Sequence, residues 1–510
     1  MIEIKNLTIK SQKGRTLINE MSLVINKDDK IAIIGEEGNG KSTLIKAIYD
    51  IDMITSYAVV EGNIQKGKNV IGYLPQFIDH KYKKMMVGEY LLEANGEIDY
   101  SLYESLYQVV ATLEQAGIDC RVVDSQTQIG KLSGGEKVKI QLIKLLMKNP
   151  DVLLLDEPTN DLDIKTLEWL ENFILKQTIP VVFISHDEVL LERCANKIVH
   201  IEQLKKKMSA KHTIEVTDYR NYYERRIAGI EKQTQEAFSE RREHKKQMEK
   251  LRKVFQRVEH EQNVISRSDP HGARLLAKKM KAVKSMEKRF ENQEITEVPE
   301  VEEAFKLFFE DVDLPSSKRI LDFSLDELTI GDKVLATNIN LEIYGPKKVV
   351  IIGENGVGKS TLIKKVMNTL SEDFQVGYIP QNYHELMDFE QTAIDFLTKD
   401  LEADNPNLVV RNYLGSVKFT RDEMISKMKN LSGGQLAKLF LIKQILSKAN
   451  VLVMDEPTRN LSPLSNPVFR DMLKNYNGCL IAISHDRKFI KEVAEELYTL
   501  TSNGLEKSCI

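Results

Sequence analysis

Short runs of consecutive apolar residues recur at matching places in the two halves of this 510-residue chain. Ile31-Ala32-Ile33-Ile34, Val152-Leu153-Leu154-Leu155 and Val181-Val182-Phe183-Ile184 have counterparts in Val349-Val350-Ile351-Ile352, Val451-Leu452-Val453-Met454 and Leu480-Ile481-Ala482-Ile483. Runs of this length without polar alternation are the pattern of parallel strands covered on both faces. The first run of each set leads into a glycine-rich segment. Behind those segments, Leu44-Ile45-Lys46-Ala47-Ile48 and Leu362-Ile363-Lys364-Lys365 read as helices. The pattern predicts an α/β protein made of two similar halves, each with a strand–loop–helix unit near its start.

Between the halves the pattern changes. From Tyr222 to about Gln262 there is no proline, one glycine, and dense Glu, Lys, Arg and Gln. Ile230, Ala237, His244, Leu251 and Val258 repeat every seven residues, and Ile227, Thr234, Arg241, Met248 and Phe255 form a second seam. This is a heptad with a polar middle. A second helix is expected from near Ala273, with Leu276, Met280, Val283, Met286 and Phe290 on one stripe. The turn-forming stretch from Ser266 to Gly272 separates the two. The expected organisation is a first domain over 1–208, a linker with a helical hairpin over 209–318 (tip about 263–273), and a second domain over 319–510. The longer helix would reach roughly 55 Å.

Composition narrows the class. Hydrophobic residues at 42% and charged residues at 29% describe a globular protein. No apolar run approaches the ~20 residues that cross a bilayer. Met1-Ile2-Glu3-Ile4-Lys5 lacks the pattern of a secretory signal. The four cysteines are scattered and form no CxxC pair, which fits a reducing cytoplasm. Net charge is −4, but residues 220–290 hold 20 Lys+Arg and 10 Asp+Glu, a balance of +10. The rest of the chain must then sum to −14. A basic middle between acidic halves fits a polyanionic partner; the bland alternative is a solvated helix pair that spaces the domains.

The chemistry-bearing residues also come twice, in the same order. Gly35-Glu36-Glu37-Gly38-Asn39-Gly40-Lys41-Ser42-Thr43 recurs as Gly353-Glu354-Asn355-Gly356-Val357-Gly358-Lys359-Ser360-Thr361. A glycine loop before a helix turns backbone N–H groups toward phosphate oxygens, and Lys41 and Lys359 should reach the β- and γ-phosphates. Ser42 and Ser360 should hold Mg²⁺ opposite Asp156 and Asp455, which end apolar strands. Gln76 and Gln381 could reach the ion and the attacking water. Glu157 and Glu456, one residue on, can orient that water. His186 and His485 follow strands beside the site, where they could contact the γ-phosphate. Leu132-Ser133-Gly134-Gly135-Glu136 recurs as Leu431-Ser432-Gly433-Gly434-Gln435. Any one of these motifs alone is commonly structural; all of them, ordered and duplicated, are not.

On these motifs the whole chain resembles the ATP-binding cassette superfamily, and specifically its ABC-F branch of tandem cassettes. The resemblance implies two P-loop ABC ATPase domains, α/β in fold, joined by a long α-helical hairpin linker. It implies ATP and Mg²⁺ as ligands and two composite sites. Site one combines Lys41, Gln76, Asp156, Glu157 and His186 with Ser432, Gly433 and Gly434. Site two combines Lys359, Gln381, Asp455, Glu456 and His485 with Ser133, Gly134 and Gly135. The branch binds ribosomes with the linker in the tRNA exit site, its tip toward the peptidyl-transferase centre. The implied partners are the bacterial ribosome, through large-subunit RNA and the peptidyl-site tRNA, with no membrane and no obligatory protein subunit. A cytoplasmic monomer with intramolecular cassette pairing is expected. Arg267, His271, Arg274, Lys278 and Lys279 are the candidate RNA contacts near the tip. The similar spacing from Gln76 to Leu132 and from Gln381 to Leu431 leaves no room for a large extra arm. That leans toward the subgroup protecting ribosomes from antibiotics, against a housekeeping translation factor.

The halves also differ. Thr458-Arg459-Asn460-Leu461-Ser462-Pro463 stands where the first has Thr159-Asn160-Asp161-Leu162-Asp163, so the carboxylate at Asp163 is replaced by Ser462. The two sites are expected to be inequivalent. No aromatic residue lies near Ser11-Gln12 or Gly331-Asp332 to stack a base, so GTP could compete. Other classes stay open: an ATPase subunit of an ABC transporter, or a DNA-gripping ATPase.

Overall fold

The computed structural model describes every residue except 13, 95, 205–208, 265–269, 293–298, 300–308, 310, 311, 313, 384–387, 400 and 510, and leaves aside the side chains of 270, 273 and 291. Two compact units are distinguished: Met1–Arg220 together with Glu302–Ile510, and Asn221–Val301. The first unit holds both cassettes.

Each cassette is built on a six-stranded sheet whose central strands are the apolar runs of the sequence. In the first the order is Ser209–Glu215, Lys197–Leu204, Lys30–Ile34, Val181–Ile184, Val152–Asp156 and Ile71–Leu74. In the second, Gly504–Ser508, Glu496–Thr501, Lys348–Gly353, Cys479–Ile483, Val451–Asp455 and Val376–Ile379 repeat that order. Pairing is parallel except at the outer hairpin of each sheet. The strands Lys30–Ile34, Val152–Asp156 and Val451–Asp455 bury every residue, which explains their unbroken apolar pattern. An antiparallel layer covers each sheet, with Ile2–Ser11 paired to Thr16–Ile25 and Ala58–Gln65 in the first cassette. Arg319–Ile330 and Lys333–Tyr344 form it in the second. The helix Lys41–Tyr49 packs Leu44, Ile45 and Ile48 into the core between the layers.

One boundary moves. Ser209–Glu215 pairs along its whole length with the strand Lys197–Leu204, so the first cassette continues past residue 208. Its sequence, SAKHTIE, is polar because it is the edge strand and is only partly buried.

The second unit is helical. The helix Tyr219–Val264 has 46 residues, about 69 Å at ~1.5 Å each, longer than the expected 55 Å. Ala237 and Val258 of the first heptad seam are buried, whereas Ile227 and Arg241 of the second are exposed. The following helix, Pro270–Glu291, buries Leu276 and Val283; Met286 is exposed, because the stripe follows 276, 280, 283, 287 and 290. His244, twenty residues before the end of the first helix, meets the carbonyl of Phe290, twenty after the start of the second, at 3.0 Å. That register makes them an antiparallel hairpin. His271, Arg274, Lys278 and Lys279 are exposed. Arg267 and the turn around it lie outside the described residues.

Candidate active sites

The phosphate loops form because glycine stands where no other residue fits. Gly40 at φ 95° and Gly358 at φ 102° take the left-handed conformation just before the helices Lys41–Tyr49 and Lys359–Thr369. A Cβ on Gly35 would collide with the Ile201 carbonyl oxygen, and one on Gly353 with that of Leu500. The side chains of Asn39 and Val357 anchor the loops. The Asn39 side chain is buried and donates to the Ile201 carbonyl at 3.1 Å, and Val357 packs on the second core. Lys41 donates to the carbonyls of Gly35 and Glu36 at 2.8 and 3.0 Å. Lys359 does the same to Gly353 and Glu354 at 2.8 and 3.0 Å. Both ammonium groups are thus held inside their loops.

In site one, Ser42 donates to Asp156 Oδ1 at 2.8 Å and Tyr73 donates to its other oxygen at 3.3 Å. Glu157 accepts from Gln76 at 2.7 Å and Asn160 at 2.8 Å, with His186 Nε2 at 3.5 Å. Burial opposes ionisation of Glu157. The hydrogen bond and charge of His186, with Lys41 and Asn160, outweigh it and hold the carboxyl down at about 2. His186 Nδ1 lies 2.6 Å from the Leu461 carbonyl of the other cassette.

Site two has the same residues in a different state. Lys359, Ser360, Thr361, Gln381, Asp455, Glu456 and His485 line a cavity of about 350 Å³ with Asn355, Gly356 and Gly358. Asp161 and Leu162 of the other cassette form its far wall, and Ile330 and Leu335 give an apolar one. Glu456 is enclosed. Burial pushes its carboxyl up to about 8, helped by Asp455, against the backbone N–H of His485 and the charges of Lys359 and Arg459. Both ring nitrogens of His485 are buried, with no hydrogen-bond partner among the described residues. Burial first, then Lys359, lowers its pKa to about 4, so it is neutral at pH 7. Glu157 and Glu456 both have left-handed backbones, at φ 51° and 52°. A non-glycine residue there costs about 1–3 kcal/mol, a strain that concentrates at working sites.

The signature segments sit at helix starts. Ser133 and Ser432 cap Gly134–Leu146 and Gly433–Leu446, each in a reciprocal box with Glu136 or Gln435. This leaves first-turn N–H groups aimed outward, a natural anion seat. Both seats meet the opposite loop. Glu37 accepts from the Gly434 N–H. Asn355 donates to the Asp161 carbonyl at 2.6 Å, and that carbonyl lies against Gly134. Asp163 caps the helix Ile164–Lys176 through Thr166 at 2.9 Å. Ser462, at the corresponding place, donates to Glu36 at 2.6 Å. Gly135 packs on Thr166, while Gly38 and Gly356 have open space around them. Nothing local in the sequence signals the reach of Glu36, which reads there as an ordinary loop residue.

Ser42, Asp156 and the Gln76 amide are hard oxygen donors, as are Ser360, Asp455 and Gln381. The 2.8 Å approach of Ser42 to Asp156 brings two of them to one point, which fits Mg²⁺. Among the described residues no cluster of three His, Cys, Asp or Glu could hold a metal without such help. The ion's other ligands would be phosphate and water oxygens.

A family model described as ABC transporter matches residues 18–160 and 336–459. The Bacillus subtilis ATP-binding protein YdiF is 30% identical over 99% of this chain and 81% of its own. ABC transporter F family member 5 of Arabidopsis thaliana is 27% identical over 99% and 75%. Among solved structures, the archaeal ribosome recycling factor aABCE1, in complex with ribosomal stalk protein aP1, aligns with TM-score 0.59. That alignment covers 98% of this chain and 90% of the other at 17% identity.

Proposed function

Because this chain belongs to the ABC transporter family, with two ATP-hydrolysing cassettes in tandem and relatives in the ABC-F branch, we propose that it is a ribosome-binding ATPase. Closure on two ATP would favour binding with the helical hairpin against RNA in the tRNA exit site, toward the peptidyl-transferase centre. Hydrolysis would reopen the cassettes and release the protein in the cytoplasm. Mg²⁺, when bound, would neutralise charge on the phosphates. The chain's own residues do the rest: Lys41 and Lys359 hold phosphate oxygens, and Glu157 and Glu456 orient water.

The observation that carries this reading is the charge of the hairpin. Residues 220–290 carry the +10 balance, and Arg274, Lys278 and Lys279 among them are exposed. Lys and Arg that neutralise RNA phosphates release counterions, giving affinity that falls steeply with salt. Replacing Arg274, Lys278 and Lys279 by Gln should weaken ribosome binding and flatten its dependence on salt, by about one unit of slope for each phosphate no longer neutralised. An unchanged slope would remove this hairpin face from the RNA contact. Protection from antibiotics is the favoured role over housekeeping translation, supported by the short segment from Gln76 to Leu132. Translation in a purified system, with and without drugs of the peptidyl-transferase centre, separates the two.

The transporter-subunit reading has one observation in its favour. Beside Gln76 a groove of about 1070 Å³ is lined by Phe77, Tyr82 and Tyr90, and Phe77, Tyr100, Tyr103 and Tyr107 are exposed nearby in sequence. Recovery of an integral membrane protein with the full chain would support that alternative.

A further inference from the structure

The two phosphate loops differ at the residue that faces the opposite signature helix. The first reads Gly35-Glu36-Glu37-Gly38; the second reads Gly353-Glu354-Asn355-Gly356. Asn355 is neutral and donates to the Asp161 backbone carbonyl at 2.6 Å, so it places no carboxylate on the signature helix of the first cassette. Glu37 instead places a carboxylate oxygen on the Gly434 N–H, and the same oxygen would sit 3.2 Å from a Cβ on Gly433. Its neighbour Glu36 reaches across as well. It accepts from Ser462 and Ser465 and lies 3.6 Å from Lys438. Burial opposes charge on Glu36, but Lys438, the two hydroxyls and Lys41 hold its carboxyl below the usual range. By contrast, Glu354 meets Lys165 where both side chains are largely exposed.

The first turn of Gly433–Leu446 presents donors and the positive end of the helix dipole, which favour one anion. In a composite site closed on ATP that anion is the γ-phosphate. Here the Glu37 carboxylate takes the place. Two anions cannot share one N–H donor, and each raises the cost of placing the other nearby.

We propose that Glu37 is an internal rival of the γ-phosphate at site one, so that ATP engages the second signature helix only by displacing this carboxylate. ADP carries no γ-phosphate and does not meet the rival. Glu37 therefore lowers the preference of site one for ATP over ADP, and site two, with Asn355, carries no such penalty. Glu36, already charge-paired, latches the cassettes at the same edge and is not displaced. This inference rests on nucleotide binding by the cassettes and is independent of the ribosome reading.

The test isolates site one in the full chain by Lys359→Ala, with Glu157→Gln to stop hydrolysis. Equilibrium competition against a fluorescent nucleotide then gives ATP and ADP affinities with no turnover. Glu37→Asn, which copies the second loop, should tighten ATP binding about tenfold, the scale of one charge-assisted hydrogen bond. ADP binding should change less than about twofold. Glu37→Gln keeps the length without the charge and should shift the ATP:ADP ratio in the same direction. An unchanged ratio in both variants would overturn the proposal. So would weaker ATP binding in both, which would make Glu37 a clasp for the closed state.

Discussion

Glu157 and Glu456 occupy the same motif position with the same strained backbone, yet their carboxyls are held at about 2 and about 8. The cause is local: Gln76, Asn160 and His186 stabilise the Glu157 anion, while burial and the Asp455 charge act against the Glu456 anion beside a neutral His485. A glutamate must be ionised to orient water, and kcat/KM reports the free enzyme. In Glu157→Gln, where only site two turns over, kcat/KM for ATP should therefore rise as pH increases through about 8. In Glu456→Gln it should be flat from pH 6 upward; matching profiles would contradict the assignment. The linkage to stability runs in the opposite direction. A raised carboxyl stabilises the fold below its unfolded value near 4.5, and that contribution is lost as pH rises through about 8. The phosphate loops and strand-end acids were legible in the sequence, because those motifs are local. The reach of Glu36 and Glu37 to the opposite cassette was not, since their partners lie some four hundred positions away.

At the scale of elements, the sheets and signature helices followed from unbroken apolar runs and from the Ser-Gly-Gly caps. The edge strand Ser209–Glu215 and the exposed Met286 did not, because polar edges and helix rotation depend on neighbours the pattern does not contain. Nor did the sequence reveal how the cassettes are joined away from the nucleotides. Glu188 starts the helix Glu188–Cys194, right after the Ser185-His186-Asp187 segment, and accepts both guanidinium arms of Arg470 from Asn466–Lys474 at 2.5 and 3.3 Å. The pair is 4% and 3% exposed. Lys488 adds a third charge at 3.1 Å, and Arg487 pairs with Asp187 and Glu171. Removing one partner of such a pair strands a buried charge, while replacing both with apolar residues removes the problem. Arg470→Met should cost about 3–5 kcal/mol in chemical denaturation. Glu188→Leu combined with Arg470→Met should recover most of that loss. Additive losses would mean that the pair contributes nothing jointly.

For the molecule as a whole, two halves of one chain supply two cassettes whose phosphate loops and signature helices meet across shared faces. Glu36 with Ser462, and His186 with Leu461, already join the cassettes across those faces. ATP then has to remodel a partly formed interface, so hydrolysis-blocked protein should accumulate in the fully closed form. The duplicated motifs and the charge imbalance of −14 against +10 were visible in the chain from the start. What the basic hairpin meets was not, because charge selects a class of partner and leaves its identity open. The direct test is sucrose-gradient sedimentation of the Glu157→Gln, Glu456→Gln protein with purified bacterial ribosomes. With ATP the protein should travel with the ribosome, and without ATP it should stay near the top. Failure to co-sediment, by protein shown to bind ATP, would contradict a ribosomal role.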